Sequence, residues 1–355
     1  MNEPTQGQPG LDIVGIHAAA VGDWYAANIP GARPPLSFEL LAGGHSNLTY
    51  RVVDAAGTPT VLRRPPTGAL LATAHDMARE HKIISGVARG EGVPVPAALG
   101  LCQDDSVNDA PFYVMGYVEG VVLDSAETVD ATITDAGARA SIGRQACEVL
   151  ASLHAIEPDD VGLGDLGKRE DYLGRQIRRW STQWENSKTR ELATMDELSA
   201  KLAERKPAQQ GAGIVHGDYR LGNMLSTPDG RVAAVLDWEL CTLGDPLADV
   251  GYIMNNWAMP GEDGPTSRGA AQAPTQAGGF GDRDAFLARY EQLSGRDLST
   301  VPYYRAFQYW RLAAIVEGVM ARYLKGQMGA EADTDEFKVQ IEALADAGLD
   351  MLAQL

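Results

Sequence analysis

The residues with the clearest potential for chemistry in this 355-residue chain are two carboxylic acids and an amide. Asp218 and Asn223 lie in one polar loop that follows an apolar run, and Asp237 comes fourteen residues after Asn223. Between them, the turn-forming residues 227–230 separate two short apolar runs, a pattern typical of a β-hairpin. Such a hairpin would bring the Asp218 loop and Asp237 together at its open end.

These residue types suit phosphoryl transfer. A carboxylate such as that of Asp218 can accept the proton of a hydroxyl group, while the oxygens of Asn223 and Asp237 can hold Mg²⁺ against nucleotide phosphates. Kinases divide the work in this way between their catalytic loop and their metal-binding Asp. An ordinary hairpin with a polar loop is the alternative interpretation, and the agreement of two motifs in order and spacing argues against it.

The order His216-Gly217-Asp218, with Asn223 five residues after the Asp, resembles the catalytic loop of the aminoglycoside phosphotransferase family of small-molecule kinases. The triplet Leu-Asp-Trp at 236–238 resembles the metal-binding motif of that family. The resemblance implies that Asp218 is the catalytic base and that His216 orients the loop through hydrogen bonds. Arg220 is the third catalytic candidate, and Asn223 belongs with Asp237 as a metal ligand.

The same resemblance, which covers about residues 37–325, implies an α+β fold of the protein-kinase-like, two-lobe type. We expect an N-terminal lobe with a five-stranded antiparallel sheet and helices over residues 11–117. A mainly helical C-terminal lobe is expected over residues 118–355, and a disordered tail over residues 1–10. The five predicted strands lie near residues 37–41, 47–53, 58–64, 97–102 and 111–118.

The turn between the first two strands is a candidate phosphate-binding element. Its glycines would let backbone N–H groups approach phosphate oxygens without a Cβ in the way. The predicted cofactor contacts of this turn are Gly43, Gly44, Ser46 and Asn47. Two glycines in a hairpin are weak evidence alone, and the later Asp218 loop makes the interpretation worth testing.

A cation at the end of the third strand is the next candidate. Protein kinases carry a Lys there that reaches the nucleotide phosphates, whereas this chain carries Arg63 followed by Arg64. Arginine keeps the charge and can grip phosphate with two N–H groups. Glu80 lies where the helical Glu of the family pairs with the strand cation. A pair of surface arginines and a solvated Glu are the alternatives.

Residues 112–120 resemble the linker in which kinases hold adenine. The backbone N–H and C=O groups of Met115, Tyr117 and Val118 are the predicted contacts with the base. An apolar core strand explains the same side chains equally well. The predicted cofactors are therefore ATP and Mg²⁺, with the base held by this linker and the phosphates by the glycine turn and Arg63.

Helical patterns dominate the remainder of the chain. An amphipathic helix is predicted from Leu11 to Tyr25. Thr134 or Asp135 can cap another helix, whose apolar stripe is Ile142, Ala146, Val149, Leu150 and Leu153. In the family, the acid that matches Asp249 braces the catalytic loop, so we expect Asp245 and Asp249 to be structural. Residues 261–281, rich in Gly, Ala, Pro and Ser, predict a mobile loop or lid. Further helices are predicted near residues 74–89, 169–187, 189–206, 282–293, 302–324 and 334–352.

Composition limits the classes of partner and compartment. The formal charge of −18 argues against generic nucleic-acid binding and against an anionic membrane surface. The three cysteines are widely spaced, which disfavours disulfides and structural zinc. No apolar run is long enough to span a membrane, and residues 1–10 lack a signal-peptide pattern. We therefore expect a cytoplasmic protein that binds a small-molecule hydroxyl substrate and neither nucleic acid nor membrane.

The acceptor is predicted from a closer resemblance, to the kinase-like subfamily associated with acyl-CoA dehydrogenases. Its motifs here lie at residues 62–66, 112–115, 244–246 and 321–324. That subfamily implies a hydroxyacyl-CoA acceptor and a functional link to an acyl-CoA dehydrogenase. Basic helices near residues 175–179 and 305–325 would suit CoA phosphates, although solvated arginines explain them nearly as well.

Three other functions remain open at this stage. Phosphorylation of aminoglycosides or other antibiotics would suit the acidic net charge. A catalytically silent ATP-binding protein is disfavoured because Asp218, Asn223 and Asp237 are all present. A metal-dependent hydrolase could use His216 with the two acids, but the remaining histidines are scattered along the sequence.

Overall fold

The computed structural model describes residues 13–42, 47–67, 76–262, 273–328 and 333–355. The chain forms two compact units. Unit 1 comprises Met1–Gly90, Pro94–Glu119 and Ala234–Glu239, and unit 2 comprises Glu91–Val93, Gly120–Ala233 and Leu240–Leu355. Asp237 therefore belongs to unit 1, whereas Asp218 and Asn223 belong to unit 2.

Unit 1 is built on a five-stranded sheet with the strand order β1-β2-β3-β5-β4, in which every neighbouring pair is antiparallel. This arrangement confirms the predicted N-terminal sheet of the kinase-like fold. The elements of unit 1 are α1 (Ala18–Asn28), β1 (Ser37–Ala42), β2 (Leu48–Val53), β3 (Pro59–Arg64), α2 (Met77–Val87), β4 (Ala98–Cys102), α3 (Asp105–Asn108) and β5 (Phe112–Gly116).

An apolar cluster packs against one face of this sheet. Side chains along β2 alternate between buried and partly buried positions, as expected for a strand that has one face against a core. Tyr50 on β2 pairs with Leu62 on β3, which pairs in turn with Val114 on β5, and all three are buried. Val21 and Tyr25 of α1 join the same apolar cluster.

The predicted start of the first helix is wrong. The helix begins at Ala18 rather than near Leu11, because the residues before it are held in other conformations by the sheet. Gly15 adopts a left-handed φ of 67° and its carbonyl accepts a hydrogen bond from Arg64. The hydroxyl of Tyr50 donates to the carbonyl of Val14 at 2.5 Å. Long-range contacts therefore override the apolar periodicity of this segment, and Val14 is exposed.

Unit 2 is mainly helical, as predicted. Its two-stranded sheet pairs β7 with β10, and a three-stranded sheet has the order β6-β8-β9, with the division between the units falling within β9. The strands are β6 (Val121–Val122), β7 (Gly213–Val215), β8 (Met224–Ser226), β9 (Val232–Val235) and β10 (Thr242–Gly244). The helices are α4 (Ala126–Thr132), α5 (Ala136–Ala155), α6 (Tyr172–Ser187), α7 (Ala193–Glu204), α8 (Leu247–Asn255), α9 (Arg283–Ser294), α10 (Val301–Leu324) and α11 (Thr334–Leu352).

Local sequence signals determine where several of these helices begin and which face they bury. The side chain of Asp135 caps α5 by accepting a hydrogen bond from the N–H of Ala138 at 2.7 Å, so of the two predicted candidates Asp135 is the cap. The apolar stripe predicted for α5 is buried, and α11 has the predicted bounds. Short 3₁₀ turns lie at Leu221–Asn223, Trp238–Leu240 and Pro274–Ala277.

Residues 263–272 of the predicted loop at 261–281 lie outside the described residues, as do the whole predicted tail and residues 68–75. The described part of this loop includes Thr275, which is buried and donates its hydroxyl to the carbonyl of Ala258 at 2.7 Å. None of the described helices is long and apolar enough to cross a membrane.

Candidate active site

The loop that holds Asp218 joins β7 to the 3₁₀ turn before β8. Residues 227–230 then form the predicted turn, in which Thr227 and Arg231 share a backbone hydrogen bond of 2.9 Å. Gly217 has a left-handed φ of 84°, and a Cβ added there would lie 2.8 Å from the carbonyl oxygen of Leu240. Only glycine fits this position without a shift, so the residue before Asp218 is fixed by backbone geometry.

Asp249, in the first turn of α8, braces this loop from beneath. Its two carboxylate oxygens accept hydrogen bonds from the backbone N–H groups of His216 at 2.7 Å and Gly217 at 2.8 Å. The Nε2 atom of His154 lies 3.3 Å from the same carboxylate, and the Nδ1 atom of His154 lies 2.6 Å from the hydroxyl of Tyr290. Asp249 is completely buried, and its predicted bracing role is confirmed.

The carboxylate of Asp218 has a hydrogen-bond donor on each oxygen. Asn223 donates its side-chain amide to Oδ2 at 2.7 Å and to the Asp218 carbonyl at 2.8 Å. The hydroxyl of Tyr252 donates to Oδ1, and the Nε atom of Arg220 lies 3.4 Å from the same oxygen. The side chain of Asp218 remains 19% exposed, so a small molecule can reach it.

His216 is completely buried beneath Asp218. Its Nδ1 atom accepts a hydrogen bond from the backbone N–H of Asp218 at 3.2 Å. A ring nitrogen that accepts carries no proton, so the proton of the neutral ring is on Nε2. This contact suits a residue that orients the loop, the role that the family resemblance implies.

Arginines and aromatic rings lie close to the Asp218 loop within unit 2. Arg311 of α10 donates to the carbonyl of Gly217 at 3.2 Å, and its guanidinium lies 5.9 Å from the ring centre of Tyr252. The same guanidinium lies 5.5 Å from the ring centre of Trp180, which Arg179 also approaches at 5.5 Å. These distances are those of cation–π contacts.

Arg63, at the end of β3, is the centre of a charged cluster in unit 1. Its guanidinium contacts Glu80 at 3.0 Å, Asp237 at 2.8 Å and Glu239 at 3.6 Å. The Arg63 side chain is 15% exposed and that of Glu80 only 3%. The ion pair with Glu80 is therefore present, and the cluster holds three carboxylates for one guanidinium.

Burial and charge act against each other in this cluster. Burial raises the pKa of Glu80, and the positive charge of Arg63 opposes that rise. Burial alone would lower the pKa of Arg63. The negative charges around the guanidinium, of which Glu80 has the largest effect, raise this pKa above its ordinary value. Tyr113 donates its hydroxyl to Glu80 at 3.1 Å, and Asn47 donates its amide to the other oxygen at 3.0 Å. Glu80 is thus held by three partners.

The neighbouring Arg64 has a different environment. It is buried and bonds to the carbonyls of Gly15, Pro65 and Asn108. Of the arginine pair predicted from the sequence, Arg63 therefore faces the acidic cluster, and Arg64 joins the N-terminal segment to the sheet.

Asp237 has an unusual backbone for a residue with a side chain. Its φ of 65° lies in the left-handed region, which Asp tolerates better than most residues. Trp238 follows it and donates its ring N–H to the carbonyl of Val235 at 3.1 Å. Non-glycine residues in this region concentrate at functional sites, where the surrounding structure holds them.

The remaining predicted cofactor contacts are placed only in part. Met115 lies within β5, opposite Val61, and Tyr117 and Val118 follow the end of that strand. Arg51 lies over the ring of Tyr117 at 5.2 Å. Gly43, Gly44 and Ser46 lie outside the described residues. The amide of Asn47 is used by Glu80, and its contact with phosphate stays a prediction.

Several contacts of the predicted site residues were not predicted from the sequence. Tyr252 carried a usable signal, because it follows Asp249 by three residues on α8 and so lies on the same helix face. Arg311 lies in the basic helix predicted near residues 305–325, whereas Tyr113 and Glu239 carried no comparable signal. The predicted meeting of the Asp218 loop with Asp237 concerns both units and stays a prediction.

Comparison with known proteins places the chain in a family. The profile of the phosphotransferase enzyme family matches residues 37–285, which is more than half of the chain. Acyl-CoA dehydrogenase family member 10 of Mus musculus is 33% identical over 330 residues, which cover 92% of this chain and 30% of that protein. Family member 11 of Gallus gallus is 32% identical, with coverage of 90% and 41%. The chain thus spans less than half the length of these relatives.

Solved structures agree with this placement. The crystal structure of a candidate aminoglycoside phosphotransferase from Ralstonia eutropha has 33% identity and a TM-score of 0.80, covering 94% of this chain and 98% of that one. A thermostable mutant of aminoglycoside phosphotransferase APH(4)-Ia, in ternary complex with AMP-PNP and hygromycin B, has 16% identity and a TM-score of 0.59, with coverage of 93% and 99%. This second likeness shows the fold alone. The chain belongs to the phosphotransferase enzyme family, and its relatives include the dehydrogenase-associated subfamily that its motifs resemble.

Proposed function

We propose that this protein transfers the γ-phosphate of ATP to a hydroxyl group of a small molecule. The observation that carries the proposal is the carboxylate of Asp218, which is partly exposed and held on both oxygens by donors. Asp218 orients the acceptor alcohol and takes its proton as the alcohol oxygen attacks the γ-phosphorus, while the bond from that phosphorus to the β,γ-bridging oxygen breaks and ADP leaves. The fixed loop beneath it supplies positioning, and Arg220 adds positive charge beside the reacting groups.

The residues proposed to hold Mg²⁺ have suitable chemistry. Asn223 uses its amide nitrogen to contact Asp218, so its amide oxygen is the atom that could bind the metal. Asp237 offers a carboxylate that is 32% exposed. Amide and carboxylate oxygens, completed by water and phosphate, match the ligands that Mg²⁺ prefers. When bound, the ion would neutralise charge on the transferred phosphate.

The nucleotide is proposed to meet the cluster around Arg63. A guanidinium that already faces several carboxylates can exchange one of them for phosphate without losing its pairing with Glu80. Gly43, Gly44, Ser46 and Asn47 are proposed to contact the phosphates, and Met115, Tyr117 and Val118 the base. The nucleotide complexes solved for members of the same fold, with AMP-PNP or ADP, support nucleotide use in general.

For the acceptor, we favour a hydroxyacyl-CoA thioester over an aminoglycoside. Within unit 2, the Asp218 loop carries Arg220 and accepts a hydrogen bond from Arg311. The guanidinium of Arg311 lies 5.5 Å from the ring centre of Trp180, and that of Arg179 lies at the same distance from this ring. Positive charge beside aromatic rings suits an acceptor that carries phosphates and a planar base, and it would repel a polycationic aminoglycoside. The names of the relatives add a link to acyl-CoA dehydrogenases, and a cytoplasmic location without nucleic-acid or membrane partners remains part of the proposal.

The test is Mg²⁺-ATP phosphoryl transfer to a panel of hydroxyacyl-CoA thioesters, aminoglycosides and amino alcohols, with products detected by mass. We expect a phosphorylated thioester whose formation falls about 10²–10⁴-fold in Asp218→Asn, since that is the usual contribution of a positioned base. Product formation that is unchanged in Asp218→Asn would refute the role of the acid. ATP consumption without any phosphorylated acceptor would favour a hydrolase, and ATP binding without turnover a silent protein.

The acceptor class has its own test. We expect Arg179→Ala to raise the KM for the thioester several-fold, because the thioester loses one of its cationic contacts. The KM for ATP should stay unchanged. Arg144→Ala is the matched control, since Arg144 is an exposed arginine on α5 that donates to the hydroxyl of Ser141 at 3.4 Å. Equal thioester KM values in the two variants would contradict the assignment of this surface to CoA.

A further inference from the structure

Tyr252 lies where one helix contacts the Asp218 loop at two points. Asp249 and Tyr252 are three residues apart on α8 and share a face of the helix. Asp249 binds the backbone N–H groups of His216 and Gly217, while the Tyr252 hydroxyl donates to Oδ1 of Asp218. The helix therefore holds the backbone of the loop with one side chain and its reactive carboxylate with another.

The hydroxyl of Tyr252 is a donor under all ordinary conditions. Burial raises the pKa of Tyr252, and the nearby negative charge of Asp218 raises it further. A phenol in this environment stays protonated and cannot compete with Asp218 for a proton. The Tyr252 ring is also fixed, because the guanidinium of Arg311 lies 5.9 Å from its centre and is itself bonded to the carbonyl of Gly217.

These contacts leave the carboxylate of Asp218 little freedom to rotate. Asn223 holds Oδ2 at 2.7 Å, and Tyr252 holds Oδ1, so turning the carboxylate plane would break both hydrogen bonds. Asn223 is also a proposed metal ligand through its amide oxygen, which leaves its amide nitrogen on Oδ2. Tyr252 is the neutral donor that defines where Oδ1 points.

We propose that Tyr252 is the positioning residue of the acceptor side, which fixes the carboxylate plane of Asp218 so that one oxygen faces the incoming hydroxyl. This inference rests on the proposed function. Tyr252 acts through Asp218 and neither binds nucleotide nor takes the proton itself. Its loss should therefore slow transfer to an alcohol more than it slows the hydrolysis of ATP by water, which needs no such alignment with a bulky acceptor.

The experiment compares Tyr252→Phe with Tyr303→Phe. Tyr303 is the matched control because its buried hydroxyl donates to the carbonyl of Leu202 at 2.6 Å on α7. For Tyr252→Phe we expect the kcat of transfer to fall about 10- to 100-fold, since small misplacements of reacting groups cost about that much. The KM values for ATP and acceptor, and the rate of ATP hydrolysis without acceptor, should stay within about twofold.

The ratio of transfer to hydrolysis is the decisive quantity, because partial unfolding lowers both rates equally and leaves their ratio unchanged. The proposal would be overturned if the ratio of transfer to hydrolysis in Tyr252→Phe equalled that of the parent. It would also be overturned if this ratio fell as far in Tyr303→Phe as in Tyr252→Phe. Crystal structures of the parent and Tyr252→Phe provide a test that needs no acceptor. A rotated or disordered Asp218 carboxylate in the variant supports positioning, and an unchanged orientation refutes it even if the parent phosphorylates nothing.

Discussion

Buried charge is satisfied differently in the two regions that carry the candidate site. In unit 2 the carboxylate of Asp249 is surrounded by backbone N–H groups and one imidazole. In unit 1 the guanidinium of Arg63 faces the side chains of Glu80, Asp237 and Glu239. The first region uses fixed dipoles of the backbone, and the second uses ionised side chains.

The difference has a functional consequence. Backbone donors cannot move away without unfolding the loop, so the geometry around Asp218 is set before any substrate arrives. Ion pairs between side chains can change partners at little cost when a more strongly charged ligand enters. For the proposed kinase, the acceptor side would thus be preorganised, while the Arg63 cluster would be able to exchange a carboxylate for phosphate or metal.

The largest effect on stability is expected from Arg63→Ala. This substitution leaves Glu80, whose side chain is 3% exposed, as a buried charge without its cation. Removal of one partner of a buried pair typically costs about 3–5 kcal/mol of unfolding free energy. Arg63→Lys keeps the charge and should cost less, although a single ammonium cannot span Glu80 and Asp237 as the planar fork does.

Denaturant unfolding of both variants measures these differences. Equal unfolding free energies for Arg63→Ala and Arg63→Lys would show that the charge on this side chain contributes nothing to the fold. The KM for ATP provides a second readout, since we expect Arg63→Lys to bind nucleotide more weakly than the parent even where its stability is close to normal.

A smaller loss of stability is expected from Asp249→Asn. The amide would keep one acceptor oxygen but direct an N–H group at a backbone donor. A buried backbone N–H would then be left unsatisfied, at a cost of about 1–3 kcal/mol. Because the loop beneath Asp218 loses a brace, phosphoryl transfer should fall as well. The measurements are thermal unfolding and the rate of transfer under saturating substrate.

Asp245→Asn is the control for that prediction. Asp245 is also completely buried at the start of α8, but its oxygens accept from the Tyr304 hydroxyl at 2.6 Å and from the Leu247 N–H at 3.1 Å. It should lose stability with a much smaller effect on transfer. A normal transfer rate in Asp249→Asn, or an equal loss of transfer in both variants, would argue against a specific brace.

Sequence patterns predicted the parts of this structure that depend on nearby residues. The hairpin turn at 227–230 and the bounds of α11 follow from local turn and periodicity signals. The brace by Asp249 came from family resemblance. Contacts between distant positions were missed, such as the ion pair between Arg63 and Asp237, which are 174 residues apart. The start of α1 failed for the same reason, since Tyr50 and Arg64 hold the preceding carbonyls.

The smallest effect is expected from Asp135→Ala, which tests a purely local signal. The Asp135 side chain accepts a hydrogen bond from the N–H of Ala138, and the loss of such a cap costs about 1 kcal/mol. Because the cap satisfies a helix end and touches neither Asp218 nor Arg63, the KM values and transfer rate should match the parent. Asp135→Asn, which restores an acceptor oxygen, should recover most of the stability.

This variant calibrates the comparison between the two regions. If Asp135→Ala lowers stability and leaves transfer unchanged, a loss of about 1 kcal/mol does not by itself disturb the chemistry. Any fall in transfer seen in Asp249→Asn then belongs to the loop that it braces. If Asp135→Ala slows transfer as much as Asp249→Asn does, general destabilisation explains both results, and the distinction between a preorganised acceptor side and an exchangeable cluster loses its support.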